Sequence, residues 1–248
     1  MTHCYQSNDE LVENLSIDFL DYISKGKKSG NVINIALSGG NSPKAFFERI
    51  AVNEGKAKTP VQWPMVHLFW VDERCVPPDH ADSNYGMTFS ALIHKIELKE
   101  SNIHRIRGEN NPGTEARRYA EEVKMLVPLK EGIPVFDLIL LGVGDDGHTA
   151  SIFPNRMDLL DAEKIYETAT HPETGQIRIT MTGKPILRAK KIIFLVTGIS
   201  KSTIVRQIMN REPESSRYPA AYFYLNRHDA DWYLDSAAAK YLKSPKKW

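Results

Sequence analysis

Phe136-Asp-Leu-Ile-Leu-Leu-Gly-Val-Gly-Asp-Asp-Gly-His148 changes character once, at Gly142. Up to Leu141 it is a short apolar run, as expected of a strand buried on both faces. From Gly142 to His148 it is mostly glycine and carboxylate, which continue neither a strand nor a helix. The same change recurs along the chain. Val32–Leu37 runs into Ser38-Gly-Gly-Asn-Ser42, Val66–Val71 into a long polar loop reaching about Gly86, and Ile192–Val196 into Thr197–Ser200. Ile177–Thr182 reads as a further strand.

Helical segments fall between these strands. Ser7-Asn-Asp-Glu10 has the form of a capping box, and Leu11, Leu15, Phe19 and Ile23 then share one helical face, with Gly26 and Gly30 bracketing the end. Ser42 is expected to cap the next helix, with Pro43 at its first position. Further helices are expected near Asn84–Ile96, Thr114–Leu126 and Ser200–Met209. The last fifty residues predict a strand around Ala220–Tyr224 and a tail helix around Ser236–Leu242. Apolar strands alternating with helices predict an α/β protein with a mostly parallel sheet and helices on both faces. Ligands of such sheets bind beyond the carboxyl ends of the strands, where four of these loops would converge.

Composition narrows the class of function. The chain has 248 residues, 42% apolar and 25% charged, with a formal net charge of +1. No basic tract stands out and the basic tail Lys243–Trp248 is short, so a nucleic-acid partner is not expected. Cys4 and Cys75 fit neither a disulfide framework nor a zinc motif. No signal peptide is visible, and the longest apolar runs fall far short of the ~20 residues of a membrane helix. A cytoplasmic protein without a membrane partner is expected.

Each polar loop carries candidate chemistry. In Ser38-Gly-Gly-Asn-Ser-Pro43, glycines Gly39 and Gly40 would let the backbone of Ser38, Asn41 and Ser42 approach a phosphate at a helix N-terminus; the alternative is a plain strand–helix turn. It is not a Walker loop, since no Gly-Lys-Ser/Thr follows. In Asp72-Glu-Arg-Cys-Val-Pro-Pro-Asp-His80, Arg74 could grip phosphate and Asp72 could accept from sugar hydroxyls, or the two could form a structural pair. Cys75 as a reactive thiol lacks a basic partner. His80 reads as a site residue or a loop cap, and Asn84 as a helix cap or a ligand contact.

Gly142, Gly144 and Gly147 match the spacing of a dinucleotide fingerprint. Asp145 and Asp146 inside the loop would repel a pyrophosphate, so that reading is set aside. Acid–base chemistry suits the loop better. His148 would be the base, Asp146 would orient it or bind a hydroxyl, and the glycine amides would face an oxyanion. A metal held by Asp146, His148 and His80 has no established ligand spacing behind it. Lys201, in Thr197-Gly-Ile-Ser-Lys201, and Arg178, an unusual charge within a strand, are further phosphate candidates.

Together these motifs resemble the 6-phosphogluconolactonase family. Its S-G-G-x-[ST]-P, D-E-R-x-V-P-x-x-H-x-x-S-N, G-x-G-x-D-G-H-x-A-S-[IL]-F-P and late G-x-x-K patterns fall in order at Ser38–Pro43, Asp72–Asn84, Gly142–Pro154 and Gly198–Lys201. Asn155 stands where the family often has glycine, and Ser202 where it often has alanine. The resemblance spans almost the whole chain and implies a single domain, residues 1–248, of Rossmann-like α/β fold. It implies hydrolysis of 6-phospho-D-glucono-1,5-lactone with no metal or organic cofactor. His148 would be the general base with Asp146 beside it, and Arg74, Lys201 and Gly39–Ser42 would hold the phosphate. The related amino-sugar phosphate deaminases resemble M-D-E-Y and F-N-E-P where this chain has Val71-Asp-Glu-Arg74 and Phe153-Pro154. They would need an acid–base glutamate that is missing here. A non-enzymatic sugar-phosphate sensor is the remaining alternative, and it would not require His148.

Overall fold

In a computed structural model, which describes residues 1–25, 32–56 and 60–242, the expected alternation is present. In chain order the elements are β1 (Thr2–Tyr5), α1 (Asn8–Lys25), β2 (Ile33–Leu37), α2 (Asn41–Asn53), β3 (Val66–Trp70), β4 (Asp72–Arg74), α3 (Asn84–Ala91), α4 (Pro112–Leu126), β5 (Leu129–Lys130), β6 (Ile133–Pro134), β7 (Leu138–Leu141), β8 (Tyr166–Thr170), β9 (Ile177–Met181), α5 (Gly183–Arg188), β10 (Lys191–Val196), α6 (Ser202–Met209), α7 (Pro219–Asn226) and β11 (Asp231–Asp235).

Six strands form one parallel sheet in the order β1-β11-β10-β7-β2-β3. Every residue of β2, β7 and β11 is buried, as a sheet covered on both faces requires. Strand order reverses between β2 and β7, because β3 lies outside β2 while β10 and β11 lie outside β7. That switch point opens a crevice beyond the carboxyl ends of the two strands. The loops after Leu37 and Leu141 leave from its two sides.

A second, three-stranded antiparallel sheet, β4-β9-β8, begins where β3 ends. Val71 joins the sheets: its N–H donates to Leu37 and its carbonyl accepts from Met181. Ile177–Thr182 therefore lies outside the parallel sheet, and Asp72–Arg74, expected as loop, is a strand. Three charged residues in a row mask its strand character, because pairing with β9 is a long-range event.

Local signals are partly confirmed. Ser7 Oγ accepts from the Glu10 amide (3.1 Å), and Glu10 accepts from Gln6 (2.8 Å), so the capping box closes one residue early. Leu11, Leu15, Phe19 and Ile23 are all buried; Gly26 and Gly30 lie outside the described residues. The second helix starts at Asn41 behind Gly40, not behind Ser42, and Pro43 is its third residue. The Ser42 hydroxyl instead meets Thr197 Oγ1 at 2.5 Å. Segment Ala220–Tyr224 is helix, not strand: Pro219 opens it and two alanines favour it over the β preference of Tyr222, Phe223 and Tyr224. Ser236–Leu242 is a series of turns. There Asp235 accepts from the Gly198 and Ala238 amides, holding the chain back against the β10 loop.

Candidate active site

The chemistry starts from the alternation of β4. Asp72 and Arg74 point to one face and Glu73 to the other. On its own side, Glu73 is buried and accepts from the amides of Arg74, Asn84 and Tyr85 and from Ser83 Oγ. It is thereby a carboxylate cap on α3, and burial raises its carboxyl pKa even against those donors. Ser83 is the N-cap residue proper. Asn84 is released to donate to the Asp72 carbonyl (2.9 Å) and carboxylate (3.2 Å).

On the other face, β4 pairs with β9 so that Arg74 lies directly opposite Arg178, and Asp72 opposite Thr180. Like charges in register destabilise an antiparallel pair unless something anionic lies between them. Arg74 spends Nη1 on the Asp82 carbonyl (2.6 Å), and Arg178 lies over the Phe153 ring at 5.6 Å. The Nε atoms of both guanidiniums are buried and have no partner among the described residues. Burial and the neighbouring Arg74 charge lower the Arg178 pKa, with Asp72 opposing. Two adjacent cations with unspent donors could hold an anion. Asp72 itself is buried and accepts from Ser151 Oγ (2.7 Å), a contact that sequence reading missed.

The β7 loop faces this pair. His148 Nδ1 lies 2.6 Å from Asp146 Oδ1, which also accepts the His148 amide at 3.0 Å. Burial works to raise the Asp146 carboxyl, but the hydrogen bond and charge of His148 outweigh it and hold the pKa below the usual range. An ionised carboxylate can only accept, so Nδ1 carries a proton, and in the neutral ring the lone pair is on Nε2. Gly144 and Gly147 serve this turn. A Cβ on Gly144 would sit 2.1 Å from His148 Nδ1, so glycine alone lets the ring fold back. The Gly144 and Gly147 amides are spent on the carbonyls of His148 and Gly144. Phe153 lies under the imidazole at 4.9 Å and carries His171 at 5.1 Å on its other contact, placing a second histidine near the site that sequence reading passed over.

A cavity of about 160 Å³ joins these parts, with Ser38, Gly39, Gly40, Asp72, Arg74, Asn84, His148 and Arg178 on its walls. Gly39 packs so close to Asn84 that a Cβ would fall 1.7 Å from its Oδ1. Asn41 and Ser42 are not on these walls; Asn41 borders an adjoining cavity of about 720 Å³ with Lys44, His80 and Phe89. That larger space contains neither the Asp146–His148 pair nor the arginines. His80 lies there, exposed, its Nδ1 accepting from the Asp82 amide. Lys201 is also off the wall, at 2.7 Å from Asp145. Cys75 is half-buried and its pKa is pushed up to about 11, chiefly by burial, so its thiol stays protonated. No group of three or more His, Cys, Asp or Glu among the described residues could hold a metal ion. No helix among them is long and apolar enough to cross a membrane.

The profile described as "Glucosamine-6-phosphate isomerases/6-phosphogluconolactonase" matches residues 6–232. The chain belongs to this family. It is 41% identical over 231 residues to the 6-phosphogluconolactonase of Haemophilus influenzae, covering 93% of this chain and 95% of that one. To the 6-phosphogluconolactonase of Treponema pallidum it is 40% identical, covering 76% and 77%. The crystal structure of devB protein superposes with a TM-score of 0.87 at 42% identity, over 98% of this chain and all of that one. A monomeric glucosamine-6-phosphate deaminase shares the fold at TM-score 0.77 and 20% identity. The mostly parallel α/β fold of this family is thus common to two chemistries, and local residues must separate them.

Proposed function

We propose that this protein, as one catalytic domain in the cytoplasm, hydrolyses 6-phospho-D-glucono-1,5-lactone to 6-phosphogluconate, the second step of the oxidative pentose phosphate pathway. One observation carries the reading: His148, held by Asp146, and the opposed Arg74 and Arg178 line the same small cavity. A base and an anion site at that range suit a small phosphorylated substrate. Arg74 and Arg178 bind the phosphate beside the Ser38–Ser42 loop, where the Asn41 and Ser42 amides begin α2, and Lys201 is a further phosphate contact. Asp72 and Asn84 take sugar hydroxyls.

His148 Nε2 removes a proton from water as the water oxygen adds to the lactone carbonyl. The tetrahedral oxyanion collapses, the bond from C1 to the ring oxygen breaks, and the imidazolium returns its proton to that oxygen. Asp146 holds the tautomer that makes Nε2 the base. No metal or organic cofactor takes part. Phe153-Pro154 in place of the deaminase F-N-E-P favours this chemistry over ring opening of an amino sugar.

The test measures lactone loss above its spontaneous rate, with wild type and His148→Ala in parallel. The alanine variant should lose about 10²–10⁴-fold in kcat and keep its inhibition by inorganic phosphate. Near-normal turnover would remove His148 as the base. Ammonia release from glucosamine 6-phosphate by the wild type would favour the deaminase chemistry.

A further inference from the structure

Two adjacent aspartates leave the β7 loop for different partners. Asp146 is committed to His148, and Asp145 pairs with Lys201 at 2.7 Å. The pair is lopsided: the Asp145 side chain is 70% exposed and that of Lys201 only 21%. The lysine's backbone is pinned. The Gly198 amide donates to the Asp235 carboxylate (3.0 Å), Ser202 Oγ to the Ile199 carbonyl (2.7 Å), and Thr197 meets Ser42 at 2.5 Å. The last contact ties the lysine's loop to the Ser38–Ser42 loop. The lysine's loop is therefore fixed beside the Ser38–Ser42 loop, while its exposed carboxylate partner can return to water at little cost.

We propose that Asp145 is a charge latch, competing with the substrate's phosphate for Lys201. This rests on the reading of Lys201 as a phosphate contact. A phosphate dianion outbids a single carboxylate for the ammonium, and it repels Asp145 if the latter stays. An uncharged sugar offers Lys201 nothing in exchange. The latch thus lowers affinity for the phosphorylated substrate and leaves the binding of an uncharged sugar unchanged. Asp145 touches no reacting atom, and its effect falls on binding.

Four variants test this through KM, kcat and the inhibition constant of inorganic phosphate. Asp145→Asn should lower both KM and the phosphate inhibition constant about 2–5-fold, the range an exposed ion pair allows. Asp145→Glu, which can rebuild the pair, should behave as wild type. Lys201→Met should raise both constants, and adding Asp145→Asn to it should change nothing more. A KM that rises or stays level in Asp145→Asn overturns the latch. Unchanged phosphate inhibition in Lys201→Met overturns the lysine's assignment as a phosphate contact, and the latch with it. Weakened inhibition in Lys201→Met without a gain in Asp145→Asn overturns the latch alone.

Discussion

The two sheets divide the work unequally. In the parallel sheet β2, β7 and β11 are wholly buried, and candidate chemistry sits in the loops beyond the strand ends. In the small antiparallel sheet the strands themselves carry Asp72, Arg74 and Arg178, with two cations in direct register. The first sheet is built for stability, and the second gives some of it up to hold charge. A substitution in one should therefore change what a substitution in the other leaves alone.

The largest effect is expected in the parallel sheet. Phe194 is fully buried in β10 and stacks on Trp232 at 4.1 Å. Phe194→Ala should cost about 3–5 kcal/mol in urea unfolding, with kcat/KM per folded molecule close to wild type. A collapse of turnover in the folded fraction would show that the scaffold and the site are not separable. Arg178→Met should do the reverse. Losing a charge-assisted contact should cut kcat/KM by about 10–10²-fold, while the unfolding midpoint holds or rises because the opposed charges are gone. A large drop in midpoint would mean that the guanidinium supports the fold. The smallest effect concerns Cys75, next to β4, whose amide donates to Ile177. Its raised pKa keeps it neutral until the pH nears about 11. At pH 8 its thiolate should be about 10²-fold scarcer than that of a free cysteine. Alkylation followed by mass spectrometry should be slow there and accelerate with rising pH; rapid labelling at pH 8 would contradict the burial of this segment.

Legibility followed the same division. The strands at Val32–Leu37, Phe136–Leu141 and Ile192–Val196 could be read because burial on both faces leaves an unbroken apolar run. Asp146 could be placed beside His148 from their spacing, since a two-residue turn is local, but not whether it would orient the ring or bind a hydroxyl. The pairing of Arg74 with Arg178 could not, because it joins residues far apart in sequence. Neither could the use of Glu73 as a helix cap, nor the burial of Asp72 against Ser151. The helix at Pro219–Asn226 was obscured by its aromatic residues. Edge strand β1 is only partly buried and weakly patterned, and it exists because β11 lies beside it.

The sequence by itself determined the alternation of strands and helices, the polar loops at the strand ends, and the closeness of Asp146 to His148. Each of these is set by residues within a few positions of one another. Only the tertiary structure decided which cations face the cavity and which do not. Arg74 and Arg178 line it, while Lys201 is held on Asp145 and is not on its walls. The reason is physical: a charge has no preferred location until the fold settles which opposite charges and which buried surfaces lie beside it.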